Sequence, residues 1–221
     1  MNVDLSAQLE ATRQELREAL EQQTALTDVL GVISRSPFDL DPILRAVIQN
    51  AVRLSGADSG SLIGIDDGVG ASAAAAGMTD EMVASVADFY RSHPLVPGRR
   101  SLTGRVLMER RSMQIPDTNA DPEFEGPVLR ANRSLLGVPL ARQGVIVGVI
   151  VVRKRTVGGF SVEHVRLVEA FADQAVIAIE NVRMFNETKE SLEQQRAISE
   201  ILSAISTGVN DATPVFDAVV Q

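Results

Sequence analysis

The sequence predicts an α+β fold, an antiparallel sheet with helices packed against it and long helices at either end. Three observations predict it. Two pairs of short apolar runs are joined by tight-turn signals, the mark of β-hairpins. Capped stretches with helical spacing lie between and after them. One segment also occurs twice: Glu190 to Gln221 aligns without a gap on Glu18 to Gln49, at an offset of 172 and with 14 identities in 32 positions. A period of that length spans a domain rather than a solenoid unit, so the expectation is one complete module followed by the opening of a second.

From Leu5 to Ile33 a heptad reading puts Leu9, Leu16, Gln23 and Leu30 at one seam position and Leu5, Thr12, Ala19, Leu26 and Ile33 at the other. The flanking residues are Glu, Gln and Arg, so the stripe needs a partner helix, and Gln23 would fix its register. In the second copy the seam is carried by Leu192, Ile198, Leu202 and Ile205. A parallel homodimer through paired helices is the expectation; a lone amphipathic helix on its own domain is the alternative. Ser36-Pro37 breaks the first helix. Asp41-Pro42, a capping side chain before a proline at the first helical position, starts the next, whose Ile43, Leu44, Val47, Ile48, Ala51, Val52 and Leu54 suit burial on a sheet.

Strands are expected at Gly60 to Asp66 and Gly70 to Gly77 around an Asp67-Gly68 turn. Helices follow from about Asp80 to Ser92 and from about Leu102 to Arg111, with the loop HPLVPGRRS between them. Met113 to Ile115 reads as a short strand and Asp121 to Asn132 as loop or weak helix. Leu135 to Ala141 and Val145 to Arg153 form the most apolar hairpin, around Arg142-Gln143-Gly144. After Gly158-Gly159, Ser161 caps a helix with no breaker before Gly208.

Composition narrows the function classes. In 221 residues, 45% of them hydrophobic, 21 bases face 29 acids for a net charge of −8. That balance repels a phosphate backbone, so nucleic acid is not expected as a partner. The longest uninterrupted apolar run, Val145 to Val152, is too short to insert in a bilayer and the N-terminus lacks signal-peptide character, which reads as cytoplasmic. With zero cysteines there is no disulfide, thiolate metal site or thiol catalysis. No Walker loop, zinc-protease pattern or glycine-flanked serine is present. His93 reads as a solvated loop residue and His164 as a surface residue in a first helical turn; they lack the spacing of a metal pair. The acids Asp117, Asp121, Glu123 and Glu125 read as loop caps rather than catalytic carboxylates. The basic run Arg99-Arg100, with Arg105 one turn into the next helix, sits where free backbone amides favour an anion, giving a candidate site for a carboxylate-bearing ligand.

The stretch LLGVPLARQGVIVGVIVV, the pattern from Phe160 to Asn181 and SLTGRVLMERRSMQIPD from Ser101 to Asp117 resemble a GAF domain, and the repeated arm resembles the connector of tandem GAF domains in bacterial sensor histidine kinases and nucleotide cyclases. The resemblance implies about six antiparallel strands with helices on both faces and a small-molecule pocket on one of them. It also implies boundaries: a signalling coiled coil over 1–36, the GAF domain over 37–183, a connecting coiled-coil helix over 184–207 and the start of a second GAF domain over 208–221. Tyr90, Phe124, Leu129, Asn132 and Ser134 fall in the family's lid and pocket-rim segments, where ligand contacts are expected.

Cofactors are less well supported. Without cysteine there is no attachment point for a bilin. Heme-binding relatives carry an axial histidine before the Leu-Gly-Val-Pro strand, and Val128 to Arg133 contains none. In the cyclic-nucleotide pattern Arg153-Lys154 and Phe160 correspond, but His164-Val165 stand where an acidic pair belongs; that ligand stays an open alternative. GAF-like methionine sulfoxide reductases depend on cysteine, so the expectation is no enzyme. The reading is a sensor that binds a small molecule and relays it through the helices to an output domain beyond Gln221, with a ligand-free dimerisation spacer as the alternative.

Overall fold

The computed structural model describes residues 12–14, 16–17, 20, 23–25, 27, 31, 39–66, 69–93, 95–126 and 132–209. They divide between two compact units, Met1–Ile179 and Glu180–Gln221. The elements are α1 (Leu40–Leu54), β1 (Ser59–Asp66), β2 (Val69–Ala76), α2 (Asp80–Ser92), α3 (Leu102–Glu109), β3 (Met113–Ile115), β4 (Ser134–Arg142), β5 (Val145–Lys154) and α4 (Val162–Val209). The described residues between 12 and 31 are helical as well.

Helix starts are set by side chains that answer free amides. Thr79 accepts from the Met82 amide, Ser101 from Gly104 and Ser161 from His164. The first of these starts differs from expectation. Asp39, not Asp41, caps α1, accepting from the Asp41 amide, and Pro42 falls within the first turn. Proline is tolerated there because the amides of that turn have no intrahelical acceptor. Helix α3 stops two residues before the expected Arg111, because Arg110 turns left-handed at φ 56. Gly208 does not end α4, which continues to Val209.

The sheet has five strands among the described residues, in the order β2-β1-β5-β4-β3 with every pair antiparallel, one fewer than expected. The α+β class stands. Between β4 and β5 the turn is Gln143-Gly144, with φ 45 and 81; positive φ at both central residues lets a two-residue turn follow the strand twist. The Asp67-Gly68 turn, the Ser36-Pro37 break and residues 210–221 lie outside the described residues.

Strand alternation then sorts the core. Leu62, Leu136, Val138, Leu140, Ile150 and Val152 face α1 and the Leu167–Ala175 part of α4 in one apolar cluster with Val47, Ile48 and Phe171. Ala25 belongs to the same cluster. On the opposite face α3 lays Leu102 and Val106 on Leu135, Val149 and Val151, while α2 sets Val86 and Tyr90 against Ile63. Gly137 makes the close approach of α3 feasible, since a Cβ there would lie 2.9 Å from Val106.

Candidate functional site

The face of the sheet under α2 and α3 carries the buried polar residues Ser59, Ser61 and Arg153. Period two puts Arg153 in phase with Val149 and Val151, and β5 delivers it beneath α2, only 3% exposed. Its Nη2 donates to Ser61 Oγ at 2.8 Å, and its Nη1 donates to the Val151 carbonyl at 3.3 Å and to Met78 Sδ at 3.9 Å. Tyr90, from the last turn of α2, is buried and donates its hydroxyl to Thr103 Oγ1 at 3.3 Å. Thr103 in turn lies 3.2 Å from the hydroxyl of Ser101, the cap of α3.

These groups surround a cavity of about 20 Å³, closed by Leu102, Phe124, Leu135 and Val151. That is room for one or two waters. Outside it, a cleft of about 490 Å³ runs along Phe89, His93, the loop from Leu95 to Arg100 and Glu125; Ser101 lines both spaces. Burial dominates the electrostatics of the inner cavity. It pulls the Arg153 guanidinium down to about 10 and pushes the Tyr90 phenol up, the Thr103 hydrogen bond and the nearby arginine opposing the latter.

Of the residues expected from the sequence, Tyr90 and Phe124 line the cavity. Arg99 and Arg100 line the outer cleft, but their charges are taken: Arg99 Nε donates to Glu123 at 2.8 Å and Arg100 stands 3.4 Å from Glu125. Arg105 reaches neither space; it makes a bidentate pair with Asp121 and donates to the Arg99 carbonyl at 2.6 Å. The basic loop is thus laced to residues 121–125. Arg105 holds the Asp121 carboxyl below its ordinary value, and Arg133 does the same to Asp117.

Asn132 and Ser134 stand apart from the cavity. The Asn132 carbonyl accepts from Thr118, and buried Ser134 donates to the carbonyls of Pro116 and Thr156 while accepting from the Gly159 amide, a staple between two loops. Leu129 lies outside the described residues. His93 stacks on Phe89 at 4.5 Å, and His164 is half-buried rather than a surface residue. No group of three or more metal-ligating side chains occurs among the described residues.

Sequence reasoning missed Arg153 as a pocket residue, taking it only as part of Arg153-Lys154. The available signal was its phase: it continues the inward alternation of Val149 and Val151 instead of breaking it.

Along the helical seam, Leu16 is 60%, Ile198 57% and Leu202 61% exposed, and Gln23 and Leu192 are exposed too. Leu192 sits one residue past the seam position held by Ser191. Leu9, Leu26, Leu30 and Ile33 lie outside the described residues, as does the side chain of Ile205. No described helix is long and apolar enough to cross a membrane.

No curated protein matches the chain. Among solved structures it is similar to the GAF domain of a phosphoenolpyruvate-protein phosphotransferase from Coxiella burnetii, at 21% identity and a TM-score of 0.62 over 76% of this chain and 98% of that one. It is similar also to the free methionine-R-sulfoxide reductase of Neisseria meningitidis in complex with its substrate, at 16% identity and 0.60 over 76% and 93%. A domain of a putative two-component sensor histidine kinase from Sinorhizobium meliloti 1021 matches at 13% identity and 0.54 over 68% and 97%. At these identities the likeness is one of fold. The sequence profile of the GAF domain matches residues 39–180, the stretch that holds the whole sheet and the cavity under α2 and α3, and the chain belongs to that family.

Proposed function

We propose that the chain is a cytoplasmic regulatory module that senses a small molecule in the cavity under α2 and α3 and relays its occupancy through paired helices to an output domain. The observation that carries this reading is Arg153. Among the described residues no carboxylate stands within ion-pair distance of its buried guanidinium. Burying an unpaired charge is costly, and a methionine would fill the space more cheaply. Such a group on the inner wall of a cavity, beside Tyr90 and Thr103, fits recognition better than packing.

Structural neighbours from a methyl-accepting chemotaxis protein and from the Sinorhizobium two-component sensor histidine kinase named above support a signalling context. The absence of cysteine speaks against the reductase chemistry of the Neisseria neighbour. Apolar side chains left exposed at Leu16, Ile198 and Leu202 suit a parallel homodimer, whose two packings would be the relay.

One observation favours the ligand-free spacer instead: the inner cavity holds only about 20 Å³. Native mass spectrometry of the purified chain separates the two readings. A dimer carrying added mass is the result expected of a sensor. A dimer of bare polypeptide mass that also binds no small molecule supports the spacer, and a monomer at high concentration removes the relay.

A further inference from the structure

The distribution of countercharges narrows the class of ligand. Arg99, Arg100, Arg105 and Arg133, all more exposed than Arg153, each have an acid: Glu123, Glu125, Asp121 and Asp117. A chain with 29 acids and 21 bases has carboxylates to spare. Yet Arg153, the most deeply buried arginine among the described residues, has as its hydrogen-bond partners there a serine hydroxyl, a carbonyl and a thioether. Ser59, directly opposite Arg153 in the β1–β5 register and therefore on the same face, is buried with its hydroxyl lacking a hydrogen-bond partner among the described residues. Polar capacity and positive charge are concentrated here without their complement.

We propose that the cavity bounded by Tyr90, Thr103 and Arg153 binds a small monoanion, a carboxylate group or a planar oxyanion of similar size, with Arg153 as its countercharge. The guanidinium fork suits two coplanar oxygens, and a low-dielectric wall strengthens the pairing. The volume of about 20 Å³ admits a group little larger than water. The anion is therefore either free and small, or the head of a longer molecule whose body passes Ser101, which lines both spaces, into the outer cleft. Net charge of −8 gives no general attraction for anions, so the specificity is local. This inference rests on the sensor reading and sharpens it.

Thermal unfolding of the whole chain, titrated with sodium acetate and in parallel with sodium nitrate, tests it. The wild-type midpoint should rise saturably, by about 5–10 °C at a hundredfold excess over Kd. Arg153→Met should show only the general salt effect, and Arg153→Lys a weaker rise than wild type. Equal responses in wild type and Arg153→Met overturn the proposal.

Should Arg153→Met not fold, the Arg153 Nε–H resonance of the wild-type protein gives a second reading. A saturable shift on adding acetate or nitrate supports the site, and no shift overturns it. A neutral molecule retained in native mass spectrometry, beside a flat anion titration, removes the anion and leaves the sensor. No retained molecule and no anion response removes both. A retained carboxylic acid identifies the head-group source; an anion response with no retained mass identifies the free anion.

Discussion

The two faces of the sheet are built to different rules. Toward α1 and α4, the strands present Leu62, Leu136, Val138, Leu140, Ile150 and Val152, and the buried serine in phase with them, Ser134, is hydrogen-bonded to neighbouring loops. Toward α2 and α3, the same strands interleave Leu135, Val149 and Val151 with Ser59, Ser61 and Arg153, all buried. One face maximises apolar burial. The other gives up part of that gain and holds a charge in a small cavity instead. Stability should therefore reside mainly in the first face and ligand response in the second, and substitutions on the two should differ in sign as well as size.

The largest effect is expected from Phe171→Ala. Phe171 is fully buried at the centre of the apolar face, and truncation leaves a cavity that rigid strands on one side and α1 on the other cannot close. A loss of about 3–5 kcal/mol is expected, read from urea unfolding. If the loss were under 1 kcal/mol, the claim that this face dominates stability would fall.

Arg153→Met should move the other way. Replacing an unpaired buried guanidinium with a thioether side chain of similar volume removes its desolvation cost, and an increase of about 1–2 kcal/mol in anion-free buffer is expected from the same measurement. A loss as large as that of Phe171→Ala would mean that Arg153 is a structural strut held by Ser61 and Val151.

The contrast between the faces also decides what the sequence could disclose. Hairpins and helices were legible because their signals are local: β5 ends one residue past its expected limit, and α2 matches both of its expected ends. The start of α1 was misplaced by two residues because Asp39 and Asp41 both make plausible caps, and only the geometry of the turn chooses between them. The site was less legible. Family position points to Tyr90 and Phe124, whereas a basic run entering a helix N-terminus points to Arg99, Arg100 and Arg105. What these three share is pairing with acids 16 to 25 residues away, a property no local window contains. Arg153 had the converse problem. Its lack of an acid becomes visible only when every neighbour on the pocket face is in place.

The smallest effect tests the lacing between Arg105 and Asp121, which joins α3 to the segment carrying Phe124 over the cavity. Asp121 lies below its ordinary value of 3.8 because of Arg105, so near that pH the folded chain binds fewer protons than the unfolded one. Its contribution is complete above the unfolded value and drains as pH falls through the depressed one. Asp121→Asn should then cost about 1 kcal/mol at neutral pH, discounted for the partial exposure of the pair. It should also flatten the acid limb of the stability curve below about pH 4, with the remaining slope carried by groups such as Asp117, which Arg133 depresses in the same way. If wild type and Asp121→Asn lose stability in parallel on acidification, the pair contributes nothing to folding. In that case the closure of Phe124 over the cavity rests on apolar contact and on the links of Arg99 to Glu123 and Arg100 to Glu125.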